Sequence, residues 1–230
     1  MTATARKPRL SIVMPVLNEA AGIVGTLAAL APLRARGVEV IVVDGGSSDN
    51  TVALATPWAD SVLTFPGGRA RQMNAGAARA SGEVLLFLHA DTQLAPGADE
   101  LVLAALRGNA GWGRFDVHIV GAPWMLRIVA LLMNLRSRWS GIATGDQAIF
   151  MRRALFDAVG GFPDQPLMED VEISRRLRAV SRPVCLKAQV RTSGRRWESR
   201  GVWRTIFLMW RLRWRYWRGE PAAALAEAYR

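Results

Sequence analysis

The chain has 230 residues, half of them hydrophobic, one cysteine and a formal net charge of +11. This composition excludes an intrachain disulfide framework and a disordered chain, and it allows one large α/β domain or two small ones. No apolar run reaches the roughly 18 residues of a membrane span, and the segment before Leu10 has no apolar leader core. The expectation is therefore a protein of a reducing, cytoplasmic compartment. Nearly all the positive charge is arginine, only Lys7 and Lys187 being lysine. Arginine suits a bidentate grip on phosphate. A GC-rich coding bias would enrich arginine everywhere, but here it thickens towards the C-terminus.

Leu10 to Met14 reads as a first buried strand, closed by Pro15, which lacks the N–H of a central strand. Asn18-Glu19 then starts a helix with Ile23, Val24, Leu27 and Leu30 on one face. Val38 to Val43 is a second buried strand, running into Asp44-Gly45-Gly46-Ser47-Ser48-Asp49. Strand, helix and strand on short links predict βαβ units and a parallel sheet. Asp44 is an acid directly after a central strand, and the glycines beside it let a ligand approach. Asp49 falls at a helix N-cap and reads as structural. Ser61 to Phe65 is a short third strand. The small-residue helix after it opens with Arg69 and Arg71, which stabilise a helix start poorly but clamp anions well. A solvated arginine face would look the same.

Glu83 to Asp91 is the stretch around which the chain is organised. Val84 to Leu88 is an apolar strand suited to burial on both faces. His89 and Asp91 follow, two residues apart and so on one side of an extended segment. Ligands of open parallel sheets bind beyond the strands' carboxyl ends, where a carboxylate can hold a cation and the cation a diphosphate. A turn-capping role for Asp91 is the plainer alternative.

Next come a helix around Asp99 to Arg107, a strand from Trp112 to Ile119 and an apolar helix from Trp124 to Trp139. Gly145-Asp146-Gln147 opens a strand, Ala148 to Met151. Gly160-Gly161-Phe162-Pro163 is a turn, and Glu169-Asp170 lead a helix that buries Ile173, Leu177 and Val180. The acid pair is either a favourable helix start or a general base at the mouth of the sheet. Val184 to Val190 is the last strand, with Cys185 a small core residue, and Thr192 to Trp197 is an exposed loop.

Taken together, Val13-Met14-Pro15-Val16-Leu17-Asn18-Glu19, Val43 to Thr51, Arg71 to Gly76, Leu88-His89-Ala90-Asp91, Met168-Glu169-Asp170 and Arg195-Arg196-Trp197 resemble, in order and spacing, the family 2 glycosyltransferases. More narrowly, the chain is similar to the small subgroup associated with radical-SAM, selenium-domain or arsenosugar pathway genes. The resemblance covers almost the whole chain. It implies a GT-A fold: an α/β, Rossmann-like, mostly parallel sheet flanked by helices, occupying 1–200. It also implies an inverting enzyme that takes a sugar from a nucleotide-diphosphate sugar, UDP-linked by expectation, with a divalent cation (Mg2+ or Mn2+).

By the same resemblance Pro15, Asn18 and Glu19 line the nucleoside site. Asp44, with Gly45 and Ser47, binds the base or ribose; Arg71 and Asn74 lie near the donor nucleotide. Asp91 is the last acid of a DxD motif and binds the metal. Asp170 deprotonates the acceptor, and Arg195, Arg196 and Trp197 close over the site. One departure stands out. The first acid of the DxD motif is His89 here, a metal ligand only when neutral. Asp91 can also serve alone, since magnesium often uses one carboxylate plus substrate phosphates.

Residues 201–230 form an extension. From Val202 to Arg218, Trp203, Ile206, Phe207, Trp210, Trp214 and Trp217 recur at helical spacing, beside Arg204, Arg211, Arg215 and Arg218. That pattern suits a helix lying on an anionic membrane surface, on the inner face of the plasma membrane. Packing of the tryptophans on the domain, or a dimer contact, would use the same spacing. The acceptor is left as a lipid or a small metabolite, and the oligomeric state is not read. A sugar-phosphate nucleotidyltransferase is disfavoured by the near absence of lysine. Two further alternatives remain. One is a non-catalytic basic protein attached to membrane. The other, nucleic-acid binding, is disfavoured by strands that end in acids.

Overall fold

The computed structural model describes residues 9–229. Residues 1–8, read above as free of a leader, lie outside the described residues. The parallel half of the sheet is built first. β1 (Leu10–Val16), β2 (Glu39–Asp44), β3 (Ser61–Thr64) and β4 (Val84–Phe87) line up as β3-β2-β1-β4, all parallel. Their crossovers are short helices, α1 (Ile23–Ala28), α2 (Ala31–Ala35) and α3 (Thr51–Ala55), and then α4 (Arg69–Arg79). The register sets Val16 against Asp44, so the chain leaves β1 and β2 at one edge. Asp44 and Asp91 share that edge with β1 between their strands, not side by side.

Pro15 does not end β1. It sits inside the strand, opposite Val43. Val13 accepts from Leu88 N–H, so alternate residues face β4; Pro15 faces that side just beyond the last β4 partner. Its missing N–H therefore costs the ladder nothing. The first helix starts at Ile23 rather than Asn18, because Asn18 has φ +53° and its loop is tied elsewhere.

The second half of the sheet is mixed. β7 (Phe150–Arg152) runs antiparallel to β4. β6 (Trp112–Val120) follows, then β8 (Val184–Ser193), parallel to β6, and at the edge β5 (Thr92–Gln93). Helices α5 (Ala98–Ala105), α6 (Met125–Ser140), α7 (Arg153–Ala158) and α8 (Glu169–Val180) flank it. Gly145-Asp146-Gln147 is a 3-10 turn, not a strand start. The stretch expected as an exposed loop continues β8 to Ser193 and then forms α9 (Arg195–Arg200). α10 (Val202–Trp217) and α11 (Ala222–Tyr229) complete the chain. Cys185 is only partly buried, and Val180 is 64% exposed at the end of α8, where the helix leaves the sheet.

Period-two alternation divides β1 between two cores. Leu10, Ile12, Met14 and Val16 join α1, α5 and α6, whereas Val13 joins α4, α7 and α8. α4 lies close on the sheet because Gly76 has no side chain; a Cβ there would stand 2.3 Å from Val13 Cγ1 and 2.9 Å from Val43 Cγ2. Gly76→Ala gains about 1 kcal/mol of helix propensity, yet overpacking costs about 1–3 kcal/mol. The expected outcome is a net loss of stability, read as a lower denaturation midpoint. A stabilised variant would mean that α4 is free to lift from the sheet.

Candidate active site

The site grows from the loops at the carboxyl edge of β1 and β2. Asp44 is buried, and its carboxylate accepts from Gly46 N–H and Ser47 N–H, both at 2.9 Å, and from Ser47 Oγ at 2.5 Å. Three of its roughly four acceptor positions are thereby used to hold the Gly45–Ser47 turn. Ser47 Oγ in turn accepts from Asn18 N–H, and Asn18 Oδ1 accepts from Ser48 N–H. Asp49 accepts from Thr51 and from Ala20 N–H, the structural role its position suggests. Glu19 reaches to Arg195 of α9 (3.1 Å), so the first and last site segments meet.

α4 contributes four polar side chains. Arg71 makes a two-point contact with Asp164, and Asn74 bonds the N–H and C=O of Phe162; both bind the 161–164 turn. Gln72, which the sequence reading passed over, donates to the Val16 and Val43 carbonyls (2.9 and 2.7 Å) and closes the space over Gly45. Arg69 pairs with Glu169 at 3.4 Å.

Beyond β4, His89 and Asp91 part company. His89 Nδ1 lies 3.3 Å from Asp146 Oδ1, and its ring packs on Gly145, where a Cβ would come within 2.3 Å. The Asp91 carbonyl accepts from Ser193 N–H, so β8 holds the turn that carries its carboxylate. Desolvation works against the Asp146 charge, but the His89 bond and the nearby Arg69 and Arg196 charges outweigh it and hold the carboxyl below its ordinary range. Arg196 is the converse case. Desolvation, then Arg69 and Arg200, push its pKa down, while Asp146 and Asp91 oppose them. Its guanidinium lies 4.4 Å over the Tyr229 ring. Trp197 is partly buried against the core cluster. Among the described residues no three His, Cys, Asp or Glu side chains gather into a closed metal cage.

Asp170 stands at the head of α8. Its two oxygens accept from Gly145 N–H (2.9 Å) and from its own neighbour Val171 N–H (2.7 Å). Burial and the adjacent Glu169 raise its pKa to about 6, against the pull of those bonds and of Arg69. Asp170, Glu169, His89 and Gly145 line one small pocket with Met73, Phe87 and Phe162. Among the described residues, the three non-glycine positions with positive φ are Asn18, Ala148 and Met168. Each lies in a segment that frames this edge, where backbone strain is commonly kept for function. Chemically, the arrangement sets a carboxyl whose pKa is raised to about 6 beside a mouth where the Arg69 and Arg196 charges act. Arg69 was read as an anion clamp, but its pairing with Glu169 was missed. The bond between Asp146 and His89 was missed too, although an acid flanked by glycine and amide in a short turn was one clue to it.

The Glycosyl transferase family 2 model matches residues 11–158. An uncharacterized glycosyltransferase of Mycobacterium tuberculosis is 30% identical over 202 residues, covering 81% of this chain and 76% of that protein. A probable glycosyltransferase of Bacillus subtilis, YdaM, is 27% identical over 95% of this chain and 56% of its own length. Among solved structures, S. aureus TarS in complex with UDP-GlcNAc aligns with a TM-score of 0.65 at 21% identity, over 80% of this chain and 58% of that one. Mannosyltransferase PcManGT from Pyrobaculum calidifontis, in complex with GDP-Man and Mn2+, aligns at 0.59 and 22%, over 80% and 56%. The chain thus spans rather more than half of those structures. They share its GT-A fold, a curled eight-stranded sheet flanked by helices.

Proposed function

The chain belongs to family 2 of the glycosyltransferases and is a nucleotide-sugar-dependent enzyme, and on that premise we propose that it transfers a sugar from a UDP-sugar with inversion. The observation that carries the reading is Asp170: a desolvated carboxyl with a pKa of about 6, held by two backbone N–H groups at the sheet edge. Asp170 takes the proton of the acceptor hydroxyl as that oxygen attacks the anomeric carbon from the side opposite the leaving diphosphate. The bond to the leaving oxygen breaks as the new one forms, so the configuration inverts.

Arg69 and Arg196 border the place where negative charge develops on the diphosphate. Their mutual repulsion is relieved when an anion lies between them. The nucleoside rests on the loop of Pro15, Asn18, Glu19, Asp44, Gly45 and Ser47, near Arg71 and Asn74. Arg195, Arg196 and Trp197 cover it, and the Arg195–Glu19 pair supports such a closure. The relatives of this fold that hold UDP-GlcNAc or GDP-Man support a nucleotide-sugar donor. Residues 1–200 are proposed as the catalytic domain and 201–230 as an extension that meets an anionic membrane.

A divalent cation fits Asp91 in the manner of magnesium, with one carboxylate from the protein and the rest from diphosphate and water. When bound there it would neutralise part of the diphosphate charge. His89 is engaged by Asp146 and Gly145, so the cation rests on Asp91 alone. The test is calorimetry of UDP and GDP, with and without Mn2+, on the native protein and Asp91→Ala. Metal-dependent binding of one nucleotide is expected, weakened in the variant by at least the roughly 10- to 100-fold that even an outer partner of a metal costs. A native protein that binds neither nucleotide would sink the reading.

A further inference from the structure

The helical spacing of the α10 tryptophans could have served packing on the domain. The structure turns them the other way. Trp203, Phe207, Trp210, Trp214 and Trp217 are 55–82% exposed, while the opposite side buries Leu212. A second apolar face lies on α6. There Trp124, Ile128, Leu131, Leu132, Leu135 and Trp139 are 45–84% exposed. At 3.6 residues per turn they fall within an arc of about 100°. Six of the chain's nine tryptophans are on these two faces. Faces of this extent on a folded domain mark a partner.

The two helices begin as neighbours. Glu198, two residues before Arg200 ends α9, accepts from Ala122 N–H just ahead of α6. Val202 and Ile206 of α10 pack on the same core as Leu126, Val129 and Ala130 of α6. Both helices also lead to Asp170. α6 ends at Gly141 and continues to Gly145, whose N–H holds the carboxylate. On α10, Leu212 packs on Met168, in the left-handed conformation directly before Glu169-Asp170.

We propose that α6 and α10 form one surface that seats in the interface of an anionic lipid bilayer. Charge selects this occupant over a second copy. Neither helix contains an acidic residue; exposed Arg127 borders the first face, and exposed Arg204, Arg211 and Arg218 the second. Two such faces pressed together would set arginine against arginine, whereas anionic headgroups complement them. Tryptophan also favours the boundary between apolar chains and water. Resting on the catalytic reading above, the same placement sets Asp170 at the membrane, so the acceptor hydroxyl belongs to a lipid-borne molecule.

The test uses the full chain with vesicles of phosphatidylcholine, alone or mixed with phosphatidylglycerol. Binding to the mixed vesicles is expected, with the tryptophan emission shifted to the blue. Trp203→Ser with Trp210→Ser, and separately Leu131→Gln with Leu135→Gln, should each weaken partitioning roughly tenfold or more. These residues are exposed, so circular dichroism and UDP binding should not change. Intact binding in the α6 variant would overturn the two-helix surface. A native protein that ignores anionic vesicles and elutes as a dimer, dissolved by the same substitutions, would overturn the membrane in favour of a second copy. Lost nucleotide binding with vesicle binding retained would overturn the catalytic reading and the lipid-borne acceptor, but not the docking surface.

Discussion

Asp170→Asn is expected to lower kcat by roughly 100- to 10,000-fold, the range for loss of a positioned general base, with UDP affinity unchanged. The native rate should rise tenfold per pH unit below about 6 and level off above it, since the carboxyl must be ionised to accept a proton. Glu169→Gln removes the adjacent like charge, so this limb should move to lower pH. Stability separates a base from a mere helix cap. A carboxyl whose pKa is raised from 3.8 to about 6 contributes stability that is present below pH 3.8 and lost as pH rises through 6. At pH 8 the ionised group therefore costs on the order of 2–3 kcal/mol. Removing the charge offsets the about 1 kcal/mol of a lost backbone bond. The asparagine variant should be no less stable than the native protein at pH 8; a clear loss there, or lost UDP binding, would make Asp170 a structural cap.

Arg114→Met is expected to be the most destabilising single change, at about 3–5 kcal/mol. Arg114 is fully buried in β6. Its guanidinium bonds Asp116 and donates to the Asn134 carbonyl of α6 at 3.0 Å. Asp116 also accepts from Arg138, and Asn134 bonds both backbone groups of Val117. α6 is thus fastened to β6 by a polar seam whose far side is the exposed apolar face. Taking one charge away leaves Asp116 desolvated with a single partner, and methionine packing does not repay that. Denaturant melts should show the loss. Because α6 leads to Gly145, activity should fall further than UDP binding does. A variant of native stability would mean that Arg138 alone carries Asp116.

Apolar runs and their endings made the parallel half of the sheet legible. Val38 to Val43 and Val84 to Leu88 could only be buried on both faces, and an acid after each marked the ligand edge. Pro15 misled, because the N–H it lacks matters only if a neighbour is there to receive it. The Gly145 turn misled because three residues carry no period. The interest of Asp170 was readable from the adjacent acids, but not its poise. That depends on Gly145, 25 positions away, on Arg69, and on burial beneath elements the sequence does not bring together.

The sequence by itself determined the family, the parallel strands, the edge where acids collect and the amphipathic period of the last long helix. These are local or periodic properties, written in neighbouring residues. Only the tertiary structure decided which way the tryptophans face, that α6 offers a second exposed face, that His89 turns to Asp146 and that Arg71 engages Asp164. Each is a competition between partners distant in the chain. A side chain's charge and period state what it could bind; the fold decides which partner lies within reach.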